Sequence, residues 1–462
     1  PWASQLFLRI NGELAVETLI AGLLADPEVG PSLAAEVNPR ESVRRELARW
    51  THADRQYIKL AKAPLSKFGK EHQWPTYLRS TMPYAPYHPG QDPVPVDPLD
   101  PIGVPLNPPH EYYASEVSDA EAQFSDVETT LSHLFRNPHP LLQGATYAER
   151  VADALILRGS VTESTRRVVE VGGGQGHVAA GILARLRERL PDVYAELDYA
   201  IVDLAPALRA AQERLLRERG VLDRVRWIAA NAEKHEFEPS SIDLLICNEV
   251  IGDFTTVKLT AALAGLEGEG ETEEQRLTRE KKLGSLARFV RAVPLKDAPD
   301  PFYLNVGALE FVGNLWSALA PGGTAFITEY GEIQKYPIPS TQLDHLEFSI
   351  HFGHLHAYAR QVGFVASIAY VQELIGLDRD ARTLATTRTY FASLRALLAH
   401  HGITLDKVAY TQAMFGDLLG DRLRLADLGD LRFEPVDERC MGLAPHEFKA
   451  LLLTRPAASV PA

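Results

Sequence analysis

The sequence has 462 residues, of which 45% are hydrophobic and 23% charged, ordinary values for a globular chain able to bury a full core. Its formal net charge of −14 speaks against a broad nucleic-acid-binding surface. Two cysteines, Cys247 and Cys440, supply no disulfide framework and no zinc cluster, and the absence of a membrane-length apolar run or signal-peptide pattern leads us to expect a cytoplasmic setting with no membrane partner.

The chain opens at Pro1 rather than methionine, as expected of a polypeptide that was trimmed, processed or cut from a larger one. Residues 1 to about 62 carry apolar positions at helical spacing (Leu6, Leu14, Leu19, then Glu41 to Trp50) and predict helices. From Pro75 to Pro109 prolines recur every few residues alongside Tyr77, Tyr84 and Tyr87, which breaks helices and central strands and predicts an extended wrap or linker. Helical patterning resumes over 119–136 and 146–157. Residues 1–140 are therefore expected to form a helical and proline-rich accessory region and 141–462 the main domain.

The next stretch organises the chain. Arg167-Val168-Val169-Glu170-Val171 reads as a strand, Gly172-Gly173-Gly174-Gln175-Gly176 as a turn, and a helix opens at His177. Glycines at such a turn let a ligand approach the backbone and tolerate positive φ. The spacing Glu170-x-Gly172-x-Gly174-x-Gly176 resembles the first signature of S-adenosylmethionine-dependent methyltransferases, in which the preceding acid helps to hold the turn. Gly174-x-Gly176-x-x-Ala179 also fits the dinucleotide fingerprint, and tight strand–helix packing alone would use the same glycines.

A second strand, Leu197 to Asp203, ends in an acid. Beside a glycine turn such a carboxylate can accept both ribose hydroxyls; its alternative use is to cap the following helix. A third strand, Val225 to Ala229, leads to Asn231, a position that suits an adenine contact or a plain turn. A fourth, Ile242 to Cys247, ends in Asn248-Glu249-Val250-Ile251-Gly252-Asp253. Ligands lie beyond the carboxyl ends of parallel strands, so Asn248, Glu249 and Asp253 are candidates for the reacting end. Residues 255–305 form an insertion, acidic over 265–280 and basic over 281–291, read as a solvated face or a movable, lid-like cover. The turn Leu319-Ala320-Pro321-Gly322-Gly323 announces a fifth strand, Thr324 to Tyr330. Nicotinamide dehydrogenases do not share these later features as a group. Helices are expected over 394–400 and 403–419, and a last strand over 448–454.

With these elements placed, the chain resembles the MidA-like methyltransferases, whose mitochondrial members methylate an arginine during respiratory complex I assembly. The resemblance rests on Tyr199 to Leu215 (Asp203, Pro206, Arg209 and Gln212 included), Asn248-Glu249, the His351-Phe352 to Phe364 region, and Met441-Gly442 with Phe448-Lys449. It covers residues 145–455. It implies an α/β fold with a Rossmann-like class I methyltransferase sheet, an antiparallel hairpin at one edge and a C-terminal α/β extension. It also implies S-adenosyl-L-methionine as cofactor, contacted by Glu170, Gly172, Gly174, Gly176, Asp203, Asn231 and Asn248. Two family acids are replaced here, at Gly252 and near Gly353.

Methyl transfer needs alignment and an unprotonated nucleophile. A hydroxyl acceptor wants a histidine base steadied by a carboxylate, which His351 with Glu249 or Glu329 would provide. A guanidinium wants carboxylates, which Glu249, Asp253 and Glu329 would provide. O-methylation of a small-molecule or carrier-tethered hydroxyl in biosynthesis is the preferred expectation; protein arginine N-methylation and a non-catalytic assembly module are the alternatives. The spacing of His351, His354 and His356 does not put all three on one helical face, so no metal is expected, and Cys247 reads as a small buried side chain.

Overall fold

The structure is a computed structural model that describes residues 100–107, 130–266, 271–342, 345–384, 409–428, 433–436 and 447–457, with residues 31, 34, 35, 394, 398, 399, 401–405 and 431 besides. The expected helices of 1–62, most of the proline-rich stretch and Met441-Gly442 lie outside these residues. The chain divides into two compact units, 89–377 with 446–462, and 1–88 with 378–445.

The first unit is built on a sheet of order β11-β14-β7-β4-β1-β2-β3. Its parallel part comprises β1 (Arg167–Val171), β2 (Asp198–Asp203), β3 (Val225–Ala229), β4 (Ile242–Asn248) and β7 (Leu319–Glu332). Helices α1 (Tyr147–Leu157), α2 (His177–Arg189) and α3 (Pro206–Glu218) precede or link the first strands. β1, β2 and β4 are near-continuous apolar runs because both faces of a parallel sheet are covered. Only β2 pairs with β3, which is correspondingly half-buried. The expected hairpin is present: β14 (Phe448–Thr454) runs antiparallel to β7, and β11 (Val365–Tyr370) antiparallel to β14. A short β10 (Ile350–His351) pairs in parallel with the far end of β7 and leads into α6 (Phe352–Val362).

The Leu319-Ala-Pro-Gly-Gly turn is absorbed into β7 as an irregularity, where pairing skips from Ile242↔Leu319 to Leu244↔Thr324. The insertion is anchored at its base. It is rooted by an antiparallel pair, β5 (Val257–Leu259) with β6 (Phe302–Leu304), and Val257, Leu259, Leu283, Phe289, Val290 and Phe302 sit in the main core. Its charged helix α4 (Glu273–Leu283) does carry a solvated face, with Arg276 bridging Glu273 and Glu280. α5 (Val306–Ala318) follows, apolar on most sides and buried. A second hairpin, β8 (Pro339–Gln342) with β9 (His345–Phe348), precedes β10.

In the other unit β12 (Arg382–Leu384) pairs with β13 (Phe433–Pro435), and α7 spans Gln412–Leu419. The helix expected from 403 starts nine residues late because the Thr411 hydroxyl caps it, accepting from the Met414 N–H; residues 403–405 are coil. Among the described residues no helix is long and apolar enough to cross a membrane.

Candidate functional site

At the carboxyl ends of β1 and β2 the glycine turn has φ of 70° at Gly172, 47° at Gly174 and 89° at Gly176, conformations that favour glycine. A Cβ on Gly172 would strike Val250, whereas one on Gly174 would project into open space. That open cradle is what a ligand lying on the turn requires.

Asp203, at the end of β2, holds the turn. Its Oδ2 accepts from the Gly173 N–H at 3.1 Å and from Gln212 Nε2 at 3.0 Å, and its Oδ1 accepts from the Ala205 N–H at 2.9 Å. Burial pushes the Asp203 carboxyl upward, and these donors oppose the shift. Glu170, expected to hold the turn, does something else. It is buried in the sheet and accepts the Tyr199 hydroxyl at 2.8 Å, and burial raises it to about 8. The role assigned to Glu170 thus falls to Asp203 and Gln212. Asn231 accepts from the Glu233 N–H at 3.0 Å, closing its own turn.

A second group of residues gathers at the ends of β4 and β7. The Asn248 Oδ1 accepts from the Tyr147 hydroxyl at 2.6 Å and the Thr328 hydroxyl at 2.9 Å. Glu249 sits at φ 58°, a left-handed backbone uncommon for a side chain of its length, and its Oε2 accepts from Ser132 at 3.1 Å. Glu329 is buried, its two oxygens accepting from the backbone N–H groups of Gly252 at 3.0 Å and Tyr330 at 2.8 Å. Burial pushes Glu329 well up, and Glu347 and Glu249 push further. Burial and then Glu249 also raise the Tyr147 hydroxyl.

The replacement at Gly252 now has a physical reading. A Cβ there would lie 3.1 Å from the Phe348 carbonyl oxygen and 3.3 Å from the Glu329 carboxyl, so the buried carboxyl of β7 packs directly against Gly252. Asp253 stays at this end, in the short turn Ile251–Asp253, and its carbonyl accepts from Asn107. Cys247 is buried and burial holds its thiol well up, as suits an inert core side chain.

His351 is not brought together with either carboxylate. Its Nδ1 accepts from the His354 N–H at 3.2 Å, capping α6, and its ring stacks on His354 at 3.5 Å with the Tyr336 ring edge-on. Burial lowers it to about 4, and no acid counters that. The expected pairing of His351 with Glu249 or Glu329 is therefore corrected: an imidazole whose acceptor nitrogen closes a helix is not poised to take a substrate proton. His354 Nε2 faces the Pro294 carbonyl and His356 Nε2 the Ala366 carbonyl. Among the described residues no group of three or more His, Cys, Asp or Glu is placed to hold a metal.

Sequence reasoning missed Tyr147, Thr328, Ser132 and the role of Gln212. Gln212 left a signal: Leu208, Gln212 and Leu216 fall at i, i+4 and i+8 on the buried stripe of α3, where an amide must find partners. Tyr147 left none, since a core aromatic looks the same with or without a buried hydroxyl bond.

Residues 152–351 match the model of a family described as "Putative S-adenosyl-L-methionine-dependent methyltransferase". No curated protein matches the chain. Similar solved structures include a COG1565 superfamily member from Burkholderia thailandensis bound to S-adenosyl-homocysteine, 20% identical over 71% of this chain and 79% of that one, TM-score 0.39. A second superfamily structure from the same organism is 19% identical over 76% and 95%, TM-score 0.36. The [4+2]-cyclase SpnF is 14% identical over 67% and 81%, TM-score 0.33.

Proposed function

We propose, for a chain whose residues 152–351 match the model of the "Putative S-adenosyl-L-methionine-dependent methyltransferase" family, that it is a methyltransferase and that the group methylated is a cationic guanidinium nitrogen, as on a protein arginine. S-adenosylmethionine is the co-substrate, and when bound it supplies an electrophilic methyl on a positive sulfur. The residues present fit it: the open cradle at Gly174 admits the ligand, and Asp203, already oriented by three donors, is available to the ribose hydroxyls.

The observation that carries the acceptor is the Glu329 carboxyl at Gly252, electrostatically coupled to Glu249 and Glu347. A guanidinium is already charged, so it needs no strong base. It needs carboxylates that accept its N–H bonds, fix its plane and localise its lone pair on the attacking nitrogen. Glu329 and Glu249 do this. Because burial raises the Glu329 carboxyl, an arriving cation favours its ionised form, and acceptor binding is expected to tighten as pH rises. The nitrogen forms its new bond to the methyl carbon as the carbon–sulfur bond breaks, and the displaced nitrogen proton leaves through the acidic cluster.

This departs from the preference for a hydroxyl acceptor. That reading needed His351 as base, and His351 is engaged as the cap of α6. The test is transfer of labelled methyl onto cell extract, separated into protein and small-molecule fractions. Label on arginine is expected; label confined to small-molecule hydroxyls overturns the proposal. Purified protein that carries adenosylmethionine but transfers no methyl to either fraction would point to the assembly-module alternative.

A further inference from the structure

Gln212 has a part that neither the fold nor the chemistry above requires of a helix residue. It is fully buried on α3, and all of its side-chain hydrogen-bonding atoms are placed. Nε2 donates to the Gly174 carbonyl at 2.9 Å and to Asp203 Oδ2 at 3.0 Å, while Oε1 accepts from Trp227 Nε1 at 2.7 Å. The orientation is unambiguous: two acceptors face the amino group and an indole N–H, which only donates, faces the oxygen. A Cβ on Gly173 would also meet the Gln212 side chain, so the turn is packed directly against it. One amide thus ties together the glycine turn after β1, the acid ending β2 and the indole on β3.

We infer that Gln212 is a positioning residue for adenosylmethionine, presetting the carboxylate of Asp203 and the backbone of the glycine turn before the ligand arrives. The inference rests on the cofactor reading of that cleft and extends it to a residue that does not touch the ligand. The physical reason is preorganisation. Without the amide, the Asp203 oxygen and the Gly174 carbonyl each lose a donor, and the turn must be ordered at the expense of binding free energy.

Two substitutions separate positioning from simple structural support. Gln212→Met keeps the volume and removes all three hydrogen bonds. It is expected to weaken adenosylmethionine binding by roughly ten- to hundredfold in calorimetry, raising KM for the ligand while kcat at saturation stays near wild type. Gln212→Glu adds a stronger signature. Its carboxylate would face Asp203 Oδ2, with Glu170 also coupled to Asp203, and with Arg209 over the Trp227 ring paired to Glu213 as the neighbouring charges on α3. The ionised form repels Asp203, whereas the protonated form can again donate. Affinity of this variant is therefore expected to be poor at about pH 8 and to recover at about pH 5.5, relative to wild type at the same pH. Should either variant fail to fold, Trp227→Phe serves, since it removes the donor to Oε1 and keeps an aromatic ring beneath Arg209; a loss of affinity of roughly threefold is expected. In wild type the indole also reports the network, so its fluorescence should change on ligand addition and the change should be absent in Trp227→Phe.

Wild-type affinity and wild-type KM in Gln212→Met, or no pH-dependent recovery in Gln212→Glu, overturns the inference. Failure of the wild-type protein itself to bind adenosylmethionine instead overturns the cofactor reading on which it rests.

Discussion

The two groups of polar residues at the carboxyl ends of the strands are built in opposite ways. At β1–β2–β3 the groups are held by complementary bonds: backbone N–H groups and an amide meet one carboxylate, and every partner is satisfied before a ligand arrives. At β4–β7 carboxyl groups are crowded together, and burial and mutual repulsion push Glu329 far above its ordinary range. The first arrangement suits a ligand of fixed shape that is bound the same way every time. The second crowds acids whose burial opposes their ionisation, the arrangement that the proposed cationic acceptor would relieve.

The largest expected effect breaks the first end outright. Gly174→Val would fill the open cradle and strain a residue at φ 47°, so calorimetry should show no adenosylmethionine binding while circular dichroism shows the fold intact. Unchanged binding would mean that the ligand does not lie on this turn.

Glu329→Gln breaks the second end without touching the first. The amide cannot ionise to meet a cation, so kcat/KM for the acceptor should fall by roughly a hundredfold with adenosylmethionine affinity unchanged. The rise of acceptor affinity with pH should weaken with it. Equal loss of affinity for both substrates would show that the two ends are not separable.

Glu170 sharpens the comparison from below. Its carboxyl is raised from 4.5 to about 8 in the fold, so the native state holds a proton that the unfolded chain releases. Its contribution to stability is complete below about pH 4.5 and is lost as pH rises to about 8. Glu170→Gln, which keeps a partner for Tyr199 and cannot ionise, should flatten that slope in a series of Tm measurements. A slope unchanged from wild type would place the titration on another group.

The smallest effect concerns His351. His351→Ala removes the cap of α6 and a ring stacked on His354, and should cost about 1 kcal/mol of stability while turnover survives. Abolished turnover with unchanged stability would restore the histidine-base reading and the hydroxyl acceptor.

The contrast also explains what could be read in advance. Strands β1 to β4 and β14, the glycine turn and Asp203 were legible because each is a local pattern: apolar runs of strand length, glycines at fixed spacing, an acid at a strand end. Glu170 illustrates the limit. Its spacing marked it as a turn-holding acid, yet the side chain of a strand residue points to one face of the sheet, and there Tyr199 took it. His351 likewise looked like a base because histidines often are, and became a helix cap because its nitrogen met the His354 N–H.

By itself the sequence determined the class of fold, the order of its strands along the chain, and the glycine turn proposed to carry a nucleotide-like ligand. These follow from backbone preferences and burial periodicities that act over a few residues. The tertiary structure decided which side chains face one another. The Glu329 carboxyl meets the Gly252 N–H across 77 residues of chain, Tyr147 meets Asn248 across 101, and Gln212 meets Gly174 across 38. Such pairings are set by sheet order and helix packing, not by spacing along the chain. That is why the glycine turn and Asp203 could be located from sequence, and the grouping of Glu249 and Glu329 only from the fold.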